Sequence, residues 1–387
     1  MAATGFRLPA YTPPDFASEP LASAPPARTG AAPADGVAPE GFHATSNHPE
    51  YVHLGEGAWT LAAESRMDCC IVVRDGELEV VEARRLTAGD AVVLGRTEDG
   101  EDGVFVHTGG FDSAAGGAAG AGGPAGPADK FSFRTRGTRE TPFSRSYDEL
   151  YNLMRHEREH GCIAWVLGPA VAFDKDSRVA MQELIGAGYC HAMLAGNALA
   201  THDLEASVHG TGLGQDIYTQ VNRPLGHYNH LDVLNAARRA GSVDAFLRER
   251  SVTDGIIHAC RENGVPTVLA GSIRDDGPLP GVLADVYAAQ DAMRAHARKA
   301  TTCLALATQL HSIAFGNMLP GYQVTGAGGG GGGGGGGPAD VRPVYFYIVD
   351  MSEFSADKLA NRGSMQATAI LTNVQDFVIN LWRNLGA

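Results

Sequence analysis

The chain has 387 residues, 44% of them hydrophobic and 7% aromatic, with a formal net charge of −14. Two domains are expected at that length, and the composition is that of a globular chain with ample core, not of a disordered one. The acidic balance, with no Lys/Arg cluster, speaks against a nucleic-acid partner, and every apolar run is too short to span a membrane.

Residues 1–40 are rich in Ala and Pro and lack the basic start and apolar stretch of a secretory signal. They also carry Asp15, Glu19, Asp35 and Glu40, which disfavours a transit peptide, so a disordered leader is expected. Over 41–112 the texture is β: "CIVV", the turn "RDG", the alternating "ELEVVEA" and "TAGDAVVLG" read as short strands of a small domain. A Gly/Ala linker follows over 113–130, and its composition can bury no apolar surface. From 131 to 387 strand and helix alternate. "SYDELYNLMRHEREHG" opens with Ser146 and Glu149 in capping-box spacing and sets Leu150, Tyr151 and Met154 on one stripe. Then come "CIAWVLG", a helix near Arg178–Ile185, "YCHAMLAG", a helix near Ala200–His209, "PTVLAG", and a helix near Leu283–Ala297. "TCLALAT", "VYFYIVD", "QATAILTN" and a closing helix complete the set, with a polyglycine loop over 326–338. Continuous apolar strands joined by helices mean a parallel sheet covered on both faces. The fold class is therefore α/β: a Rossmann-like parallel sheet domain preceded by a small β-rich domain.

Six cysteines (Cys69, Cys70, Cys162, Cys190, Cys260, Cys303) lie scattered without CxxC spacing. That usage fits a reducing compartment, and a cytoplasmic location is expected.

In an open α/β sheet, ligands bind outside the carboxyl ends of the strands. Those ends carry "GPA", "GNA", "GSIRDDG", "TQLHS", "VD" and "TN", small and polar turns in register along one rim. In "LAGNALATHDLE", Asn197 and Ala198 follow a buried strand, and His202 and Asp203 sit together one turn further on as an expected acid–base pair. Asn197 could serve only its own turn, Asp350 could bind a ribose or cap a helix, and Arg274, Asp275 and Asp276 could be a solvated cluster. The last are hemmed between "VLAGS" and "GPLP", which holds them near the rim.

Two motifs are set aside. "HEREH" (156–160) matches a zinc pattern, but His156 lies roughly 200° from the apolar stripe on the wet face, and no third ligand is evident. No metal is expected. "GTGLG" (210–214) follows a helix where a dinucleotide fingerprint must follow a strand, so it reads as a helix stop and loop.

The rim segments "LGPA", "LAGNALATHDLE", "GTGLG", "VLAGSIRDDGPLP", "LATQLHSIAFGNMLP" and "ANRGSMQATAILTNV" resemble, in that order, the archaeal and cyanobacterial ornithine cyclodeaminases. This is the LOR/SDH conserved-region family, found also as the C-terminal part of the bifunctional arginine dihydrolase/ornithine cyclodeaminases. "ATSNHP" (44–49) and "MDC" (67–69) extend the resemblance to the N-terminal part, so that it covers 41–387 apart from the glycine-rich insertions. It implies an NAD-dependent conversion of L-ornithine to L-proline and ammonia by internal hydride transfer. It also implies that Asn197, Ala198, Asp276, Thr308, His311, Ser312, Asp350 and Asn373 hold NAD. Departures are Asn373, where an acid is expected, and "VDMSE", which replaces a more proline-containing turn after Asp350.

The chemistry needs a cation for the substrate carboxylate, acids for the amines and a proton shuttle. Arg274 is the choice for the first, Asp275 and Asp68 for amine contacts, and His202 or His311 for the shuttle, each histidine having a purely structural alternative. The expected partners are a small amino-acid substrate and further copies of the chain, with neither nucleic acid nor membrane. Two other readings stay open: an opine- or saccharopine-type NAD(P) oxidoreductase, which needs a 2-oxo acid, and a non-catalytic NAD-binding sensor. Retention of both charged rim clusters argues against the sensor.

Overall fold

A computed structural model describes residues 6–55, 57–111, 144–273, 275, 277–325, 340–353 and 366–386. The first part is built from short antiparallel strands: β1 (Thr29–Ala31), β2 (Glu50–His53), β3 (Trp59–Leu61), β4 (Cys69–Arg74), β5 (Glu77–Glu82), β6 (Ala91–Val93) and β7 (Val104–Val106). They form a four-stranded sheet in the order β1-β6-β4-β5 and a three-stranded sheet β3-β2-β7. Alternation decides which side of each strand is buried, and Val52, Ile71, Val93 and Val104 meet in one small core.

The leader expected to be disordered is part of this module from residue 6 onward. β1 pairs with β6, Leu21 is buried, Phe16 stacks on Trp59 with ring centroids 5.5 Å apart, and the Tyr11 and Tyr51 hydroxyls meet at 2.7 Å. A few well-spaced anchors suffice to order an Ala/Pro-rich segment, and composition averages over them.

The second part contains a six-stranded parallel sheet of β8 (Ile163–Leu167), β9 (Ala192–Gly196), β12 (Thr267–Ala270), β13 (Thr302–Leu306), β16 (Tyr345–Asp350) and β17 (Gln366–Leu371), in the order β12-β9-β8-β13-β16-β17. Numbered within the sheet this order is 3-2-1-4-5-6, two mononucleotide-type halves that diverge between β8 and β13. Strands such as β8 and β13 are buried along their whole length, which is why they read as unbroken apolar runs. Helices α1 (Ser144–His160), α2 (Lys175–Gly186), α6 (Ile256–Glu262) and α9 (Val374–Leu385) share one apolar core, and α7 (Val286–Ala297) and α8 (Gln309–Met318) pack into a second. Between β9 and α6 the chain adds α3 (Asn197–His209), a ribbon of β10 (Thr211–Gly212) and β11 (Gln215–Asp216), α4 (Asn229–Ala240) and α5 (Val243–Glu249). The helix α1 begins at Ser144, so Ser146 lies inside it. Hairpin strands β14 (Tyr322–Thr325) and β15 (Asp340–Pro343) pair from Tyr322↔Pro343 to Thr325↔Asp340. The polyglycine segment 326–338 and the linker 113–130 lie outside the described residues.

The two parts meet away from the ligand rim. The Gly321 amide donates to the Ser65 carbonyl at 3.0 Å, and the Tyr322 hydroxyl donates to the Ala62 carbonyl. Gly321 in turn accepts from the Val344 amide beside the start of β16, at the amino edge of the sheet. Arg294 on α7 adds an ion pair to Glu82 at 2.6 Å, and Arg298 one to Glu64 at 2.7 Å.

At the same edge the middle of "HEREH" proves structural. Glu157 is fully buried and accepts from Arg342 at 2.6 Å, from Thr301 and from Thr302. Burial pushes its carboxyl up, but Arg342 and Thr301 outweigh that and hold it below its ordinary value. His156 is half-buried, not on an open face, because Phe6 covers its ring at 5.3 Å. Among the described residues no three His, Cys, Asp or Glu side chains are grouped to hold a metal ion. Nor is any described helix long and apolar enough to cross a membrane.

Candidate ligand rim and active site

Three elements leave the central rim strands directly: a 3-10 turn (Pro169–Phe173) after β8, α3 after β9, and α8 after β13; α9 likewise follows the edge strand β17. None of the three is capped by a side chain; Gly168, Gly196 and Thr308 occupy their N-cap positions. By contrast Asp174, Ser242, Asp285 and Asn373 cap α2, α5, α7 and α9 with their own side chains. The starts of the 3-10 turn, α3 and α8 therefore keep amide donors available to an anion, where α2, α5, α7 and α9 have a side-chain oxygen on theirs.

The backbone is crowded at the point where strand order switches. The Gly168 amide donates to the Leu306 carbonyl at 2.8 Å, and a Cβ on Gly168 would lie 2.0 Å from the Ala307 oxygen. Ala307 itself turns the chain with φ +48°. On the neighbouring strand a Cβ on Gly196 would come within 2.8 Å of His311 Cε1, so glycine there lets the imidazole lie over the end of β9.

Around that imidazole the structure gathers several of the residues expected from sequence. Thr308 Oγ1 lies 3.4 Å from His311 Nδ1, and burial lowers the His311 pKa while Asp275 opposes the shift. His311 is therefore predominantly neutral at pH 7. Asn197 Nδ2 donates to Asp275 Oδ1 at 3.5 Å, and its Oδ1 accepts from the Leu279 amide at 3.0 Å. Asp275 also takes the Ser272 amide at 2.7 Å, which folds the loop after β12 back toward α3. Ala198 is half-buried in the first turn of α3, and Ser312 is buried on α8. Asp350 and Asn373 stand at the ends of β16 and β17, with their side chains engaged locally: Asp350 accepts from the Ser352 amide at 2.8 Å, and Asn373 from Gln375. Arg274 and Asp276 lie outside the described residues.

The expected His202–Asp203 pair is not formed. Neighbouring helix positions do not face each other, whereas positions three apart do. His202 Nδ1 meets Glu205 Oε2 at 2.9 Å. Asp203 turns the other way, pairing with Arg178 Nε at 2.6 Å and accepting the Ile256 and Ile257 amides at 3.0 and 2.8 Å, so it caps α6. Glu205 was missed from sequence, although its i,i+3 spacing from His202 was the available signal. Its fully buried carboxylate also takes Thr211 Oγ1 at 2.8 Å and the Leu213 and Gly214 amides at 3.0 and 2.9 Å. "GTGLG" is thus a tight ribbon turn, with positive φ at Leu213 and Gly214, moored to α3.

Asp68 lies just before β4 in the first part of the chain. It is exposed, its amide donates to Thr45, and the adjoining Ser65 contacts Gly321 beyond the far end of α8 from His311. A ten-residue helix such as α8 separates its ends by about 15 Å.

These features define a class: a Rossmann-fold chain with its ligand rim at the strand-order switch, preceded by an antiparallel β module. The family model described as arginine dihydrolase ArgZ-like, C-terminal, Rossmann fold matches residues 149–325. The chain belongs to the ornithine cyclodeaminase family: it is 37% identical to the ornithine cyclodeaminase of Archaeoglobus fulgidus over 352 residues, 90% of this chain and 76% of that protein. The ornithine cyclodeaminase of Methanocaldococcus jannaschii is 36% identical over 348 residues, 89% and 74% of the two chains. Among solved structures, a conserved putative LOR/SDH protein from Methanococcus maripaludis S2 superposes with a TM-score of 0.75 at 31% identity, covering 94% of this chain and 98% of that one. The ternary complex of AgrE with ornithine and NAD+ gives a TM-score of 0.55 at 28% identity, covering 94% of this chain and 46% of that one.

Proposed function

We propose that this protein is an NAD-dependent ornithine cyclodeaminase that converts L-ornithine to L-proline and ammonia. The support is its identity with named ornithine cyclodeaminases along nine-tenths of its length, joined to the ornithine and NAD+ held by AgrE. A dinucleotide suits the rim: the uncapped starts of the 3-10 turn, α3 and α8 offer donors to a pyrophosphate, and Gly168 and Gly196 keep side chains out of the way. Asn197, Ala198, Asp276, Thr308, His311, Ser312, Asp350 and Asn373 are the residues assigned to hold it. When bound, NAD supplies a hydride acceptor and afterwards the donor, so it is not consumed.

The chain's own residues bind, orient and move protons. Arg274 is assigned to the substrate carboxylate and Asp275 to an amine, while His202 or His311 shuttles protons. Asp68 is the second acid assigned to amine contact.

Purified protein incubated with ornithine is expected to yield equal proline and ammonia with no steady-state reduced nicotinamide. Arg274→Ala should raise KM more than it lowers kcat, because a carboxylate clamp acts in ground and transition states alike. NADH oxidation driven by a 2-oxo acid plus an amino acid, without proline from ornithine, would favour an opine-type reductase. NAD binding without either reaction would favour a sensor.

Asn197→Leu leaves the Leu279 amide without its acceptor and removes a polar rim contact. Both stability and NAD affinity are expected to drop, each by roughly 1–3 kcal/mol. An unchanged calorimetric titration with NAD would remove Asn197 from the site.

A further inference from the structure

The carboxylate behind His202 resembles the orienting member of a proton-transfer pair. Each Glu205 oxygen already accepts one backbone N–H, from Gly214 on Oε1 and from Leu213 on Oε2. Its remaining partners are the Thr211 hydroxyl and His202 Nδ1. Burial pushes the Glu205 carboxyl up, but the hydrogen bonds from His202, Gly214 and Thr211 outweigh it and keep the group ionised. An ionised carboxylate only accepts, so Nδ1 carries a proton, and in the neutral ring the lone pair then falls on Nε2. No described residue hydrogen-bonds Nε2.

The ring is placed between the two chain segments that leave β8 and β9 at the rim. It sits on α3, and its other neighbour is Phe173, at the end of the 3-10 turn, 5.1 Å between centroids. The ring of His230 lies 6.0 Å away, and its Nδ1 is buried with no protein partner. A buried polar atom left unpaired is costly, so a polar group delivered by a ligand is the natural partner for this corner. His311 lacks such a hydrogen bond: its Nδ1 faces a hydroxyl, and Asp275 acts on the ring only through space.

We propose that Glu205 is the positioning residue that presents His202 Nε2 as the base for an ammonium group of the amino-acid substrate. The proposal rests on the cyclodeaminase reading and selects His202 over His311 as the shuttle. In the step, the N–H bond of the ammonium breaks, its electron pair stays on the substrate nitrogen, and the proton forms a new bond to Nε2. The imidazolium so created has the Glu205 carboxylate 2.9 Å behind it. The uncharged amine has the lone pair that would let its α-carbon give up hydride to a bound nicotinamide as acceptor, which the ammonium form lacks.

Nitrogen-15 NMR of histidine-labelled full-length protein, with His202 assigned by its absence in His202→Gln, reads the tautomer directly. The wild type is expected to show the Nδ1–H form at His202; the Nε2–H form would overturn the proposal. Glu205→Gln is expected to lose that signature and to lower kcat by about 10²-fold or more, with the ornithine KM within about threefold. NAD affinity of the folded variant serves as the check that the rim survives. An unchanged kcat in Glu205→Gln also overturns the proposal. Wild-type protein that makes no proline sinks the reaction and the base role with it, while the tautomer still decides whether Glu205 orients His202.

Discussion

Asp203→Ala is expected to destabilise the protein by about 3–5 kcal/mol, the range for removing one member of a buried ion pair. Arg178 is 3% exposed and lies against Asp203, Asp254 and Ser207, so the guanidinium cannot escape to water without local unfolding. The same carboxylate also accepts the first two amides of α6, and those donors would be left unsatisfied. Gly255 leaves no slack, since even a Cβ there would meet Arg178 Nη2 at 2.1 Å. Asp203→Asn keeps an oxygen for the helix cap and should cost less. Urea unfolding followed by the fluorescence of buried Trp165, whose indole donates to the Tyr189 carbonyl, measures both. A loss below about 1 kcal/mol for Asp203→Ala would mean that the exposed Asp254 alone carries Arg178.

Gly168→Ala is expected to weaken NAD binding tenfold or more and to cost about 1–3 kcal/mol of stability, the usual penalty for overpacking. The added methyl meets a backbone oxygen, that of Ala307, and backbone cannot rotate aside as the tip of a side chain can. Relief requires the ends of β8 and β13 to part at the place where a dinucleotide is proposed to lie. Gly186→Ala, at the end of α2, is the control: its Cβ would meet nothing within 4 Å, so a gain of up to about 1 kcal/mol is expected. Nucleotide titration and thermal unfolding of both variants test the pair. Unimpaired NAD affinity in Gly168→Ala would move the nucleotide away from the switch point.

Much of this architecture was legible because it is local. Ile163–Leu167, Ala192–Gly196 and Thr302–Leu306 are apolar at every position but Thr302, as a strand buried on both faces demands, and the turns that follow them carry Gly, Pro, Asn and Thr. The rim residues Asn197, Asp275, Thr308 and His311 were found by the same reasoning, since any polar residue just past such a strand stands on the ligand edge. The helices α4 to α6 were not read. α5 and α6 have only seven residues each, too few to show a helical period, and α4 buries two alanines, Ala236 and Ala237, beside Val233. The leader was misjudged because Phe16, Leu21 and Tyr11 are single anchors in an Ala/Pro background.

By itself, then, the sequence determined the β-then-α/β division, the parallel sheet, the rim and the family motifs, all of which are written in periodicity and in residues adjacent along the chain. Only the tertiary structure decided which charge meets which. It sent Asp203 to Arg178 and to α6, 53 residues away, while Glu205 took His202 and the following ribbon. It made Glu157 a buried anchor for Arg342, 185 residues distant. The reason is physical: hydrophobic patterning repeats with the backbone and is visible in any window, whereas a buried carboxylate is stable only where separate segments converge to neutralise and bond it.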